Sequence, residues 1–211
     1  ADAVVTYHMI IEGVLAETAA FDNLGGWKLD TQHYQQMGGC YLLAHGMGEP
    51  VADATTKVSI PQPGTWHVWV RTRDWCAGDW ESPGRFRVLV NGRPLQPTFG
   101  TENDAWHWQA GGQVSIDAAA EVEITLKDLT GFDGRCDAIF FSRSPKPNLP
   151  GGPGEDLAAL AAWKDQMTGR HSQRVRESSY DFVVVGGGIA GCAAALAAKS
   201  QGLSVALIQD R

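Results

Sequence analysis

The sequence predicts a multidomain chain with a β-sandwich over residues 1–148, a linker containing one helix over 149–179, and the first strand–helix–strand unit of an α/β domain over 180–211. Two observations underlie this division. Short segments of alternating polar and apolar residues, separated by Gly and Pro, fill the first region and are typical of two-sheet β folds. A glycine-rich turn between a β-branched strand and an alanine-rich helix opens the last region and is typical of α/β folds.

The alternation is clearest in two segments of the first region. TWHVWVRTRDW (65–75) alternates with period two, and GRFRVLVNGRPL (84–95) repeats the pattern around an Asn91–Gly92 dipeptide, a strong hairpin signal. The residues that we expect to face inward are Trp66, Val68, Val70, Phe86, Val88 and Val90. QVSID, EVEITLKDL and DAIFFSR predict three more short strands, and helical periodicity is missing, so a sandwich or jelly roll is expected.

Charge and composition exclude several function classes. Residues 1–148 hold 11 Lys and Arg against 18 Asp and Glu, a net charge of −7, whereas residues 149–211 hold six of each. This asymmetry indicates that the two parts have different origins. The net charge argues against nucleic-acid binding, because a phosphate-binding surface needs clustered Lys and Arg. No run of about 18 apolar residues exists, so the sequence predicts no membrane span.

The four cysteines are scattered along the chain. They are Cys40, Cys76, Cys136 and Cys192, and none forms a C-x-x-C pair, which argues against structural zinc. The first three can include one disulfide or can all be free thiols, and the sequence leaves both alternatives open.

Composition separates the two folded regions. SPKPNLPGGPG (144–154) is rich in Pro and Gly and predicts a linker. EDLAALAAWKDQM (155–167) predicts a helix that opens with acidic residues and ends at Gly169. Its residues at helical spacing are Leu157, Leu160, Lys164 and Met167. The polar stretch RHSQRVRESS (170–179) is predicted to be a loop.

The glycine-rich turn fits a pyrophosphate-binding motif. Phe182–Val185 is a β-branched run, typical of a parallel strand buried on both faces. The motif G-x-G-x-x-G then follows as Gly186, Gly187, Gly188, Ile189, Ala190 and Gly191. The first glycine permits the tight turn, the second lets the backbone approach a pyrophosphate, and the third lets helix and strand pack closely. The helix N–H groups would face the phosphates. The alternative is a glycine-rich turn without a ligand.

The end of the second strand is where an acidic residue would bind a ribose hydroxyl. Gln209 occupies that position and Asp210 comes next. A glutamine can still hydrogen-bond a hydroxyl, and no suitably placed Arg indicates a 2′-phosphate. The spacing therefore predicts a dinucleotide site at these residues but does not separate FAD from NAD.

The segment YDFVVVGGGIAGCAAALAAKSQGLSVALIQDR resembles the start of FAD-dependent oxidoreductases with a two-dinucleotide-binding-domain fold, in particular bacterial members labelled xanthan lyase-like. The resemblance implies a Rossmann-like fold with FAD as cofactor and its pyrophosphate at Gly186, Gly188 and Gly191. It also implies hydride transfer from a carbon that bears a hydroxyl group. The catalytic residues are unknown and would lie outside this chain.

The first region resembles carbohydrate-binding modules of the galactose-binding, jelly-roll type in VLAETAAFDNLGGW, GTWHVWVRTRDW and CDAIFF. This resemblance implies a structural Ca²⁺ shared by Glu17 and Asp137, since carboxylates suit a hard cation. The alternative is two solvated acids. Trp75 and Trp80 lie in a predicted loop, where flat rings suit the apolar faces of sugars. They can equally form a contact with the flavin domain.

These features predict part of a periplasmic or secreted FAD-dependent oxidoreductase whose β module helps to bind a glycan-like substrate. The alternative is a non-catalytic carbohydrate-binding module with a remnant dinucleotide-binding segment. A strand–helix–strand unit of about 30 residues cannot bury its own apolar faces. We therefore expect a second chain, or a continuation of this one, to complete the FAD domain.

Overall fold

The structure is a computed structural model that describes residues 13–169 and 178–209. The chain divides into two compact units, Ala1–His171 and Ser172–Arg211. The helix that the sequence assigns to the linker lies in the first unit. The parts of the predicted regions that fall outside the described residues are 1–12, 170–177 and 210–211.

The first unit is built mainly from β-strands. Its described strands are β1 (Gly13–Glu17), β2 (Lys28–Asp30), β3 (Tyr41–His45), β4 (Ala54–Ile60), β5 (Gly64–Thr72), β6 (Phe86–Val90), β7 (Arg93–Pro94), β8 (His107–Ile116), β9 (Ala120–Asp128) and β10 (Phe132–Ser142). A 3₁₀ turn follows β1 at Thr18–Ala20, and two helices complete the unit, α1 (Tyr34–Met37) and α2 (Leu157–Thr168).

The strands form two antiparallel sheets. The larger sheet has the order β2–β3–β10–β5–β8, and the smaller has the order β4–β9–β6–β7. In the larger sheet, β10 pairs with β5 along one edge. Along its other edge it pairs with β3 in its first half and with β1 in its second half. The predicted β-sandwich is confirmed, and β10 is its central strand.

The core lies between the two sheets and uses the inward-facing residues that the alternation predicts. Val68, Val70 and Phe141 of the larger sheet pack in one buried cluster with Val88 and Ile124 of the smaller sheet. Fully burying one such side chain contributes about 1.5–3 kcal/mol. The β6–β7 hairpin turns at Asn91 and Gly92, which both have positive φ angles of 50° and 74°. The Asn–Gly pair is therefore at a turn that requires left-handed backbone.

Helix α2 packs onto the sandwich and is an integral part of the first unit. Asp156 caps its N-terminus by accepting a hydrogen bond from the Ala158 N–H at 2.9 Å, and Gly169 ends it with a φ of 68°. Leu160 is fully buried, and the Trp163 ring packs edge-on against Phe140 with centroids 5.2 Å apart. The helix thus covers one face of β10.

The second unit is a small parallel strand–helix–strand arrangement. It contains β11 (Phe182–Val185), α3 (Ile189–Ser200) and β12 (Val205–Ile208), and the two strands pair in parallel. Large apolar side chains that are more than half exposed are Val183, Val185, Ile189, Leu196 and Ile208. Both strands and the helix therefore present uncovered apolar surface. Within the described part of the chain, no helix is long and apolar enough to cross a bilayer.

Candidate functional sites

Three loops meet at one end of the sandwich and form an edge that we call the loop surface. They are the segments 46–53, 73–85 and 129–133, and the last of these includes the first two residues of β10. Gly131 O accepts hydrogen bonds from the N–H groups of Gly46 at 2.9 Å and Gly48 at 3.3 Å, and Asp128 Oδ2 accepts one from Val51 N at 2.9 Å. The Trp75 indole N–H donates to Phe132 O at 2.9 Å and so joins the second loop to the third.

The loop surface presents large apolar side chains to solvent. Met47 is 82% exposed, Trp80 is 61% exposed and Phe132 is 51% exposed. Trp75 is half-buried, and the Arg135 guanidinium lies 5.4 Å from the centre of its ring. The sequence predicted both tryptophans in this loop, and the structure places Trp80 on the solvent side. Met47, a single apolar residue in a turn, and Phe132, the first residue of β10, were missed because neither belongs to a periodic apolar pattern.

Polar groups lie beside these rings. His45 Nδ1 is 2.5 Å from Asp133 Oδ1, and Arg135 Nη1 donates to Asp133 O at 2.9 Å. Met47 and Asp133 have positive φ angles of 52° and 59°. Backbone of this kind is uncommon outside glycine and is enriched at functional sites. The loop surface therefore combines flat apolar rings, hydrogen-bonding groups and constrained backbone, which suits the binding of a polyhydroxylated ligand.

The second candidate site, the pair Glu17 and Asp137, already contains a cation. Lys164 Nζ of α2 lies 2.8 Å from Asp137 Oδ1, 2.9 Å from Asp137 Oδ2 and 3.6 Å from Glu17 Oε1. Arg71 Nη1 donates to Asp137 Oδ2 at 2.9 Å. The side chains of Asp137, Arg71 and Lys164 are almost fully buried. Two acids thus face two bases in the interior.

A local irregularity of β10 positions Asp137. The pairing register of β10 with β5 shifts between Cys136 and Ala138, and the Thr18 hydroxyl donates to Cys136 O at 2.6 Å and to Asp137 O at 3.0 Å. Such bulges redirect a side chain. Burial, with a further contribution from the neighbouring Asp137 charge, raises the pKa of the Cys136 thiol well above its usual value. All four cysteines are free.

The carboxylates of Glu17 and Asp137 do not fit the predicted calcium ion. Calcium takes six to eight oxygen ligands, whereas both oxygens of Asp137 already accept hydrogen bonds from nitrogen donors. Among the described residues, no group of three or more His, Cys, Asp and Glu side chains is arranged to hold a metal. The alternative of two solvated acids fails too, because Asp137 is only 1% exposed.

Arg71 follows the inward-facing Val70 in β5, so the strand directs it away from the core between the sheets, and it is nevertheless buried. Segment 149–155 crosses that face, and Gly151 O accepts hydrogen bonds from Arg71 Nη2 at 2.8 Å and Nε at 3.2 Å. Trp108 donates its indole N–H to Pro150 O at 2.9 Å. The Pro- and Gly-rich segment is therefore held against the sandwich, which composition alone did not reveal.

The third candidate site is the glycine-rich turn between β11 and α3. Gly186 has a φ of 106°, which favours glycine, and its N–H donates to Ile208 O at 2.8 Å. A Cβ on Gly191 would overlap with Gly186 O, whereas a Cβ on Gly188 would meet open space. The first and third glycines are thus required by the turn itself, and the second leaves room above the helix N-terminus.

The N-terminus of α3 leaves its N–H groups available. Gly188 is the N-cap residue, and in the described chain no side chain caps this helix. Helix N-termini of this kind attract phosphate groups. Gln209 Oε1 accepts a hydrogen bond from the Gly187 N–H, so the glutamine contacts the turn that the sequence assigns to the cofactor. Ile189 and Ala190 begin the helix and are exposed, whereas Asp210 lies outside the described residues.

Comparison with known proteins gives a match to one family model and matches to solved structures. A family model described as FAD dependent oxidoreductase matches residues 181–211. No curated protein matches the chain significantly.

Solved structures resemble the sandwich. The GH26-CBM35 β-(1,4)-mannanase of Podospora anserina aligns with a TM-score of 0.50 and 19% identity over 93% of this chain and 42% of that one. A family 35 carbohydrate-binding module from Clostridium thermocellum aligns with a TM-score of 0.47 and 18% identity, over 61% and 96% of the two chains. A CBM35 from Paenibacillus barcinonensis gives 0.48 and 16%, over 62% and 99%. The first likeness shows the fold, a sandwich that resembles carbohydrate-binding jelly rolls. The chain spans only about two fifths of the mannanase.

Proposed function

We propose that this chain is part of an FAD-dependent oxidoreductase, of the kind labelled xanthan lyase-like, in which the sandwich binds a glycan-type substrate. The observation that carries the proposal is the geometry of the glycine-rich turn. Gly186 and Gly191 are required by its backbone, whereas Gly188 leaves an open space at an uncapped helix N-terminus. A dinucleotide pyrophosphate needs that combination of close approach and free N–H groups. The family match over 181–211 favours FAD as the dinucleotide.

The residues of this chain would bind and orient the cofactor. The N–H groups at the start of α3 would hold the pyrophosphate, and Gln209 would lie beside the ribose, where its amide can hydrogen-bond a hydroxyl. When bound, FAD would supply the hydride-accepting chemistry. The catalytic residues would lie in polypeptide outside this chain.

A further polypeptide, either a second chain or a continuation, would complete the FAD domain. The apolar residues of β11 and β12 are exposed in the described unit, although strands with this composition are normally buried on both faces. Additional parallel strands and covering helices would bury them. Access to glycans fits a periplasmic or secreted protein.

The FAD proposal is tested with Gly188→Ala in the natural protein. The open space at Gly188 accommodates a methyl group, so the fold should persist while the methyl blocks the pyrophosphate. We expect the purified variant to lose its flavin absorbance. Gly39→Ala is the matched control, because a Cβ there also meets open space in the other unit. A Gly188→Ala protein that retains its full flavin content would contradict the proposal.

A second candidate function, glycan binding without flavin chemistry, is favoured by the loop surface. Its exposed rings, Trp80 and Phe132, lie entirely within the first unit. Flat rings at the centre of a binding surface often contribute more than about 2 kcal/mol. Trp80→Ala should therefore weaken binding to a panel of β-linked polysaccharides by about tenfold or more, measured by affinity electrophoresis. Tyr180→Ala, which removes an aromatic ring that is 47% exposed in the other unit, should leave this binding unchanged.

The two candidate functions predict different outcomes. If the natural protein binds glycans but is purified without flavin, the second candidate function, glycan binding alone, is favoured. Flavin content together with Trp80-dependent glycan binding would favour the oxidoreductase. If Trp80→Ala binds glycans as tightly as the wild type, the loop surface is not the glycan-binding site in either candidate function.

A further inference from the structure

We infer that the ammonium group of Lys164 is the resident cation between Glu17 and Asp137, in place of the calcium ion that the sequence resemblance implies. The Glu17–Asp137 pair is therefore compensated without a metal, and helix α2 supplies the positive charge at this position. This inference concerns the fold of the first unit and does not depend on FAD or glycan binding.

The geometry assigns the ammonium a central position. It lies within hydrogen-bond distance of both Asp137 oxygens and 3.6 Å from Glu17 Oε1, so one cation contacts both acids. These acids come from β1 and from the bulge in β10, and Lys164 comes from α2. A metal shared by the two acids would have to occupy the space that this ammonium group fills.

Charge balance argues in the same direction. Glu17 and Asp137 contribute two negative charges, and Arg71 and Lys164 contribute two positive charges, so the cluster is neutral. Adding a divalent cation would leave an excess of two positive charges where the side chains of Asp137 and Lys164 are only 1% and 4% exposed. An uncompensated charge in such an environment is costly. Calcium could enter only if Lys164 left.

The packing of α2 keeps Lys164 in place. Leu160, one turn before Lys164, is fully buried and lies against Gly151, and Trp163 packs against Phe140 and Trp108. Gly151 O in turn accepts hydrogen bonds from Arg71. The ion cluster and the apolar contacts of α2 therefore stabilise each other, and the helix forms part of the folding unit.

The test uses thermal unfolding of the whole chain, followed by tryptophan circular dichroism, with excess calcium and with a chelator. We expect the wild-type melting temperature to be the same in both solutions. Lys164→Met should lower it by about 6–20 °C, because removing one partner leaves a buried charge uncompensated. Gln166→Met, an exposed position on the same helix, should change it by less than about 2 °C.

Two results would overturn the inference. One is stabilisation of the wild-type protein by calcium, or its destabilisation by the chelator. The other is a Lys164→Met protein whose melting temperature equals that of the Gln166→Met control. If Lys164→Met fails to fold, the wild-type chain labelled with ¹⁵N-lysine decides by NMR. The Lys164 ammonium protons should exchange with water far more slowly than those of exposed lysines, and equal exchange rates would contradict the assignment.

Discussion

The sandwich and the C-terminal unit both contain strands rich in β-branched and aromatic residues, but only the sandwich buries them. Phe141 in β10 is fully buried, whereas Phe182 in β11 is 40% exposed and Val185 is 81% exposed. The sandwich places a second sheet over its apolar face, and α2 covers part of the opposite face. In the C-terminal unit, one helix covers a two-stranded sheet. The comparison teaches that the same local sequence pattern can give a buried core in one unit and an exposed apolar surface in another.

The polar interactions of the two units also differ in burial. Asp137 is buried between two bases, whereas Asp181 is exposed and accepts hydrogen bonds from the Ser204 N–H at 2.8 Å and the Ser204 hydroxyl at 2.6 Å. A buried ion pair is costly to break, whereas an exposed hydrogen bond is exchanged readily for water. The sandwich therefore should unfold cooperatively, and the C-terminal unit should open locally.

The largest expected effect comes from the same substitution in the two units. Phe141→Ala should lower the free energy of unfolding of the sandwich by about 3–5 kcal/mol, because it leaves a cavity in a closely packed core. Phe182→Ala should leave the sandwich transition unchanged. Urea unfolding followed by tryptophan fluorescence measures this transition, since all eight tryptophans lie at or before residue 163. A change in the urea midpoint of the sandwich transition caused by Phe182→Ala would show that the stability of the sandwich depends on the second unit.

A smaller effect is expected in the reactivity of two thiols. Cys136 is fully buried with a raised pKa, whereas Cys192 at the start of α3 is partly exposed, with Sγ 3.1 Å from Gly187 O. Because the thiolate is the reactive form, an alkylating reagent near pH 8 should modify Cys192 at least about tenfold faster than Cys136. Peptide mass spectrometry after short labelling times measures both rates. Equal rates in the folded chain would contradict the difference in burial.

The smallest effect concerns the pH dependence of the C-terminal unit. The hydrogen bonds from the Ser204 hydroxyl and N–H lower the pKa of the Asp181 carboxyl below its usual 3.8. A depressed pKa means that the folded state favours the ionised carboxylate. Its contribution is therefore present above about pH 4 and is lost as the pH falls through the folded pKa. A carbon-13 NMR titration should give the Asp181 carboxyl a pKa below 3.8, and Ser204→Ala should raise this pKa. No change in this variant would rule out Ser204 as the cause.

Part of the fold could be predicted because local patterns determine it. Strand β6 and the part of β5 up to Val70 alternate in burial, and Asn91–Gly92 is at a turn with positive φ angles. Strand β3 was not predicted, because its residues are buried on both faces and do not alternate. Tyr41 packs with Met37 and Trp106, whereas Leu42 joins the main core.

The ion cluster could not be predicted from spacing alone. Lys164 lies 27 residues from Asp137, and Arg71 lies 66 residues from it, so neither pair has a local signature. One signal was present, since Lys164 falls on the apolar stripe of α2 that contains Leu157 and Leu160. A charged residue on such a stripe indicates a buried partner. The glycine-rich turn, in contrast, is a local feature, and its sequence predicts the strand–turn–helix order that the structure shows.

Hydrogen exchange on the 211-residue chain tests the contrast between the two units most directly. Strands β5 and β10 lie inside the larger sheet, so we expect their amides to open only with global unfolding, whereas β11 and β12 form a two-stranded sheet with exposed apolar faces. We predict that peptides covering β5 and β10 exchange at least about a hundredfold more slowly than peptides covering β11 and β12. Equal protection of the two sets would contradict the account, because it would show that the C-terminal unit is as stable as the sandwich without further polypeptide.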